Sequence, residues 1–299
     1  FVGARIVRLG LPILMGMIVV VAPQTYFELR QDGLITPNYF EFWGNYLQGN
    51  AGYPVVTPTW NHLWYVVYLL TYVLLIWPFL PALRRMAEGR VGQRLGQLAS
   101  SPWGLLLGLA VPFVVYEWWL TPRFETTHNL IWDWANHAHR LSIFLLGYFF
   151  AKNSAFWGAV DRYRAAAVVS AVVLLGFRLT VRSADWELYV WLYEIGVMPL
   201  IVTIYAWTAI VALLAVAQRH LNSRSNILSY FTQAVFCYYI LHQTITVSVG
   251  YGLTQLRLGA GGEFVLLVLA TVLGSALGYE FLRRVPGLRL FFGIQRRGQ

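Results

Sequence analysis

Val197-Met-Pro-Leu-Ile-Val-Thr-Ile-Tyr-Ala-Trp-Thr-Ala-Ile-Val-Ala-Leu-Leu-Ala-Val-Ala217 decides the fold. The run carries no charged side chain, and Glu194 and Arg219 stand on either side of it. A helix rises about 1.5 Å per residue, so about 20 such residues cross the hydrocarbon core of a bilayer. Lipid offers the backbone no hydrogen-bond partner, so a run of this kind spans as a helix. Working outward, similar stretches fall at approximately 6–26, 62–82, 103–121, 137–153, 165–182, 228–250 and 264–282. The fourth and fifth stretches in chain order are the weakest, being short or flanked by arginine. Pro12, Pro23, Pro78, Pro112 and Pro199 lie within or near these runs. Membrane helices tolerate them where neighbours satisfy the freed carbonyls.

Composition agrees. Hydrophobic residues make up 58% of the 299 and charged residues 12%, and mean hydropathy is +0.56. A soluble domain carries about 25% charged residues. Half that density cannot cover a water-facing surface, which excludes a soluble enzyme and also intrinsic disorder. The expected fold is all-α, a polytopic membrane bundle of about eight spans. No internal repeat, low-complexity tract or linker divides 1–299, so one domain is expected. Cys237 is the only cysteine, which excludes an intramolecular disulfide and a cysteine metal site.

The net charge is +9, carried by arginines and the single Lys152. The basic residues sit in short clusters between apolar runs rather than along one stripe, so a bilayer and not a nucleic acid is the expected partner. Alternate connectors differ sharply in sign. One set holds Arg5, Arg8, Arg84, Arg85, Arg90, Arg94, Lys152, Arg162, Arg164, Arg219, Arg224, Arg283, Arg284, Arg289, Arg296 and Arg297, against only Glu88 and Asp161. The other holds Arg30, Arg123, Arg178, Arg182 and Arg257 against Glu28, Asp32, Glu41, Glu125, Asp133, Asp185, Glu187, Glu194 and Glu263. The positive-inside rule puts the first set, and both chain ends, in the cytoplasm. The longest outward loop, 27–61, is rich in aromatics: Tyr39, Phe40, Phe42, Trp43, Tyr46, Tyr53 and Trp60. They suit either sugar stacking or an interfacial aromatic belt.

Polar residues inside spans are costly, and they mark candidate sites. Arg5 and Arg8 are three apart, so an α-helix puts both on one face. Two guanidinium groups there suit a phosphate or carboxylate clamp, or snorkelling to lipid headgroups. His62 opens the second span in Asn61-His62-Leu63-Trp64-Tyr65, as a proton shuttle or an interfacial histidine. His242, in Leu241-His242-Gln243-Thr244, either hydrogen-bonds a neighbouring helix or lines a cavity. Asn136, His137 and Arg140 share a face of the fourth span. His137 and His139 are two apart and do not face one side, so no metal is expected. Glu117 reads as one half of a structural pair. Glu280 reads as an ion-pair partner within the bundle, for Arg5 or Arg8. No HExxH, Walker A, GxSxG or GxGxxG pattern occurs.

Taken in order, several stretches resemble the acyltransferase 3 family of integral membrane acyltransferases, and its glucan-modifying members above all. They are Arg5-Ile-Val-Arg8-Leu-Gly-Leu-Pro12, Asn61-His62-Leu63-Trp64-Tyr65, Asp133-Trp-Ala-Asn-His137 with Phe144-Leu-Leu-Gly-Tyr148, Tyr238-Tyr239-Ile240-Leu241-His242, and Tyr279-Glu280 with Arg284 and Pro286. The resemblance spans essentially the whole chain and implies ten membrane helices. It also implies a catalytic histidine on the first of them, in an Arg-x10-His arrangement. Only four residues precede Arg5, so those two helices and that histidine are expected upstream of Phe1.

The resemblance further implies O-acyl transfer from a cytoplasmic acyl-CoA, either acetyl or succinyl, to a hydroxyl of an extracytoplasmic carbohydrate or glucan, at the inner membrane. No bound cofactor is expected, since acyl-CoA is a substrate. Arg5 and Arg8 would hold the donor. His62 and His242 are the catalytic candidates, and Trp64, His137, Arg140 and Glu280 complete the substrate-binding set. Two other classes stay open: a transporter or flippase without covalent chemistry, and a non-catalytic partner in glycan synthesis.

Overall fold

A computed structural model describes residues 2–35, 38–49, 52–223 and 225–294. Of the residues named above, Phe1, Arg224, Arg296 and Arg297 lie outside this set. Among the described residues all regular structure is helical. In chain order α1 runs over Gly3–Gln31 and α3 over Asn61–Glu88, with α2 between them at Tyr39–Gln48. Next come α4 (Arg90–Ala99), α5 (Pro102–Trp119), α6 (Trp134–Phe150), α7 (Ser154–Arg162), α8 (Arg164–Ala184) and α9 (Trp186–Glu194). The last are α10 (Val197–His220), α11 (Asn226–Leu256), α12 (Ala260–Leu282) and α13 (Pro286–Arg289).

Five of these, α1, α3, α8, α10 and α12, are long and apolar enough to cross a membrane. The pairs α4–α5 and α6–α7 are each bent by 102° and raise the number to seven if each pair is one span. The stretch 228–250 lies in α11, 31 residues long. His242, Gln243, Thr244, Thr246 and Ser248 put a polar stretch inside this helix. The chain is therefore a multi-pass helical membrane protein. Large apolar side chains that face outward agree: Leu277 is 70% exposed, Leu213 68% and Phe264 67%. Water would not tolerate so much contiguous apolar surface, whereas acyl chains do.

Local sequence explains where helices break. Asn38, Ser101, Asn153, Asp185 and Ser225 each precede a helix and accept a first-turn backbone N–H through the side chain, as N-cap residues do. At Gly196, before α10, φ is +79°, and a Cβ there would stand 2.9 Å from Trp118 Nε1. Only glycine meets both demands.

Contacts divide the chain into two compact units, Phe1–Trp77 with Ser225–Gln299 and Pro78–Arg224. The boundary at 77/78 falls inside the helical run of α3, so no linker marks it. In the second unit the core gathers Leu105, Phe113, Phe150, Phe156, Val160, Trp207 and Val211. Phe150 and Phe156 stack at 4.2 Å across the α6–α7 bend. Trp207 Nε1 donates to the carbonyl of Leu105 at 2.7 Å. In the first unit α1 packs against α11, α11 against α12, and α3 against α1.

The helix α1 is not regular. Ile6–Gly10 and Gly16–Val20 are π-helical turns. Such turns leave carbonyls displaced from the α ladder, and they recur at functional sites. Side chains from elsewhere cap the second turn: Tyr46 donates to Met17 O at 2.8 Å, Trp43 to Ile18 O at 2.8 Å and Thr244 to Val20 O. Gly16 lets α3 close on this turn, since a Cβ there would meet Leu63 Cδ1 at 2.2 Å.

The aromatic loop between α1 and α3 is mostly core. Phe42 and Tyr46 are fully buried, and they join Tyr26, Leu29 and Ile35 in one cluster. Tyr46 also accepts the Thr59 amide at 3.0 Å. Burial pushes its phenol up to about 12, with the Thr59 hydrogen bond opposing the shift. Of the seven aromatics, Phe40 stands out, 79% exposed.

Candidate functional site

A polar layer crosses the otherwise apolar first unit. Its centre is Gln24, fully buried, on α1 just past the second π turn. The Gln24 and Thr25 amides both bond the carbonyl of Val21, and Pro23 has no N–H to give. The Val20 carbonyl takes the Thr244 hydroxyl instead. Gln24 Nε2 then reaches Thr244 Oγ1 at 2.6 Å and His62 Nδ1 at 3.2 Å.

The partners fix both imidazole tautomers. His62 Nε2 lies 3.2 Å from the carbonyl of Ile240. A carbonyl only accepts, so Nε2 carries the hydrogen, and in the neutral ring Nδ1 accepts from the Gln24 amide. Both nitrogens of His62 are thus engaged. Tyr239 further donates to the His62 carbonyl. His242 differs. Its Nδ1 lies 2.7 Å from the carbonyl of Tyr239, one turn back on α11. Nδ1–H therefore donates there, and the lone pair stays on Nε2. The His242 ring is half-buried and stands edge-on to His62, centroids 5.5 Å apart. Thr246 bonds the His242 carbonyl at 2.8 Å and Thr271 on α12 at 3.0 Å, tying this turn of α11 to its neighbour. Chemically, the layer holds one imidazole in a fixed orientation and presents a second whose Nε2 has no hydrogen-bond partner among the described residues.

The other sequence candidates are placed as follows. Trp64 begins the α-helical part of α3, its ring against Tyr65 and Tyr68. Arg5 and Arg8 are exposed; the π turn Ile6–Gly10 begins directly after Arg5 and contains Arg8. An i→i+5 turn is wider than an α turn, so the spacing of Arg5 and Arg8 around the axis differs from that of a regular α-helix. Glu280 does not serve Arg5 or Arg8 as expected. Its carboxylate accepts Arg283 Nε at 2.8 Å, Arg284 Nη2 at 3.1 Å and the Tyr230 hydroxyl at 3.0 Å. Arg283 also lies over the rings of Tyr230 and Tyr279. Partners one turn away hold that carboxylate at lower entropic cost than a distant arginine.

His137 and Arg140 belong to the second unit. There Asp133, fully buried, accepts the Thr127 and His128 amides and Asn136 Nδ2. Arg140 Nε donates to Asn136 Oδ1 at 3.0 Å, and His137 Nε2 bonds the Leu130 carbonyl at 2.8 Å. This network fastens the 127–133 loop to α6. Glu117 pairs with His139, Oε1 to Nε2 at 3.5 Å.

Gln24 and Tyr239 escaped the sequence reading as site residues. The signal for Gln24 was present, since an amide following proline inside an apolar run must find partners.

Fold and site together define the class: a helical membrane protein with a histidine-bearing polar layer built between its spans. A family model described as an acyltransferase domain matches residues 1–280, and the chain belongs to this family, the acyltransferase 3 family. No curated protein and no solved structure gives a match. The protein is a membrane acyltransferase in that general sense.

Proposed function

We propose that the protein moves an acyl group from a cytoplasmic acyl-CoA to a hydroxyl of an extracytoplasmic carbohydrate, with His242 as the proton acceptor. The observation that carries this is the asymmetry of the two imidazoles. His62 has both ring nitrogens bonded, whereas His242 keeps Nε2 open on a half-buried ring. In the reaction the acceptor O–H gives its proton to His242 Nε2. The oxygen attacks the thioester carbonyl carbon, the C–S bond breaks, and the thiolate leaves and takes up a proton. General-base assistance of this kind contributes about 10²–10⁴-fold.

His62 is a positioning residue, held by Gln24 and Ile240 so that its ring edge orders His242. Arg5 and Arg8 sit at the arginine-rich end of α1 and supply charge for the polyanionic donor. Trp64 lines the approach beside His62. The positive-inside pattern supports cytoplasmic chain ends in an inner membrane. Motif order favours a role like that of glucan biosynthesis protein C, with acetyl or succinyl transferred to a glucan.

The test is product mass. The protein is expressed in a host that makes the candidate glucan, and the glucan is compared with an empty-vector control. A gain equal to acetyl or succinyl is expected, and it names the donor. An unmodified glucan, with folded protein in the membrane, refutes acylation of that acceptor and fits a transporter.

A further inference from the structure

In the second unit, α8 and α10 pack along their length and bring Arg164, the first residue of α8, to the end of α10 that carries Arg219 and His220. Between them opens a groove of about 440 Å³, lined by both arginines, His220, Val168, Val169 and Val216. Ala165 and Ala215, both small, complete its lining. The groove has a cationic mouth and an apolar floor. The valines face outward, Val169 60% exposed and Val216 46%. Both helices are long and apolar enough to cross a membrane, so the mouth stands where lipid headgroups lie.

The mouth is organised. Arg164 Nη1 donates to the Asp161 carbonyl at 2.8 Å and lies 3.3 Å from its Oδ1, and Arg219 Nη1 stands 3.8 Å from the same oxygen. One carboxylate thus draws two guanidinium groups together and neutralises only one of them. Arg219 and His220 suit the negative end of the α10 dipole, but Arg164 opposes the positive end of α8. An anion at the mouth would offset both the unmatched charge and that dipole.

We infer that this groove binds an anionic phospholipid, its phosphate between Arg164 and Arg219 and an acyl chain along Val168, Val169 and Val216. Basic pockets between membrane helices recognise such headgroups. A zwitterionic lipid would bring a second cation to a mouth that already has one in excess.

The experiment uses the full chain, purified and reconstituted with phosphatidylglycerol or phosphatidylcholine, with lipid retention read by native mass spectrometry and melting followed in parallel. Phosphatidylglycerol should be retained and raise the melting temperature. The Arg164→Gln, Arg219→Gln double variant should lose about an order of magnitude or more in retention. Ala165→Leu fills the groove and keeps both charges, and it should lose retention too. This second variant carries the test if the first does not fold. Equal retention of the two lipids overturns the inference. So does undiminished retention by Ala165→Leu, or equal stabilisation by inorganic phosphate alone.

Discussion

Thr244→Val is the sharpest perturbation of the polar layer. The change is nearly isosteric and removes only a hydroxyl. That hydroxyl donates to the Val20 carbonyl and accepts from Gln24 Nε2, so its loss strands a displaced π-turn carbonyl and one N–H of a fully buried amide. An orphaned buried polar group costs about 1–3 kcal/mol in a soluble protein. Hydrogen bonds between membrane helices average only about 0.6 kcal/mol and reach about 1.7, because the separated helices find other partners. Two stranded groups therefore cost about 1–3 kcal/mol together.

Thr246→Val is the control on the same helix. Its hydroxyl serves its own helix and the Thr271 hydroxyl, which can turn elsewhere, so the cost is about 0.5 kcal/mol. Melting of the purified protein in detergent, with denaturant titration as a second probe, ranks the two. The same preparations are assayed for acyl transfer, where Thr244→Val should also lose activity as His62 loses its fixed amide. The reasoning is refuted if Thr246→Val costs as much as Thr244→Val, or if Thr244→Val costs nothing.

Three other predictions concern separate parts of the molecule. His242→Gln should lower the acyl-transfer rate about 10²–10⁴-fold, about 3–5 kcal/mol of barrier, with melting nearly unchanged; a loss that tracks the folded fraction instead makes His242 structural. Arg8→Ala, at an exposed position, should abolish transfer while folded protein is retained, and persistent acylation would remove Arg8 from the donor site. Tyr46→Phe should cost about 1–2 kcal/mol, for the hydrogen bonds to Met17 and Thr59. The folded Tyr46 phenol titrates near 12 instead of 10, so its stabilising contribution is complete below pH 10 and is lost as pH rises to 12. The stability gap between wild type and Tyr46→Phe should close over that window, and a gap constant to pH 12 contradicts the assignment.

Much of the site's outline was legible in the sequence. The Leu241-His242-Gln243-Thr244 group, polar inside an apolar helix, had to hydrogen-bond a neighbour or line a cavity, and Thr244 does bond α1. Glu280 was legible as an ion-pair partner, but its partners are Arg283 and Arg284, one turn away on the same stretch of chain, and not Arg5 or Arg8. The aromatic loop misled for another reason. Phe42 and Tyr46 fit a sugar platform or an interfacial belt equally well by composition, and their burial against α1 depends on the chain folding back.

The sequence by itself determined the class of the protein: apolar helices of membrane length and the segregation of arginine to one set of connectors. These follow from forces that act within about 20 residues, the transfer of side chains to lipid and the charge bias of the connectors. The tertiary structure alone decided that α1 is wound into two π turns. It decided, too, that Trp43, Tyr46 and Thr244 cap the second of them, and that Gln24 aligns His62 while His242 keeps a nitrogen open. The capping and the alignment of His62 by Gln24 rest on hydrogen bonds between residues 25 to 224 positions apart. No local pattern encodes such a pairing, because a buried polar atom is satisfied by whichever donor the packing brings to it.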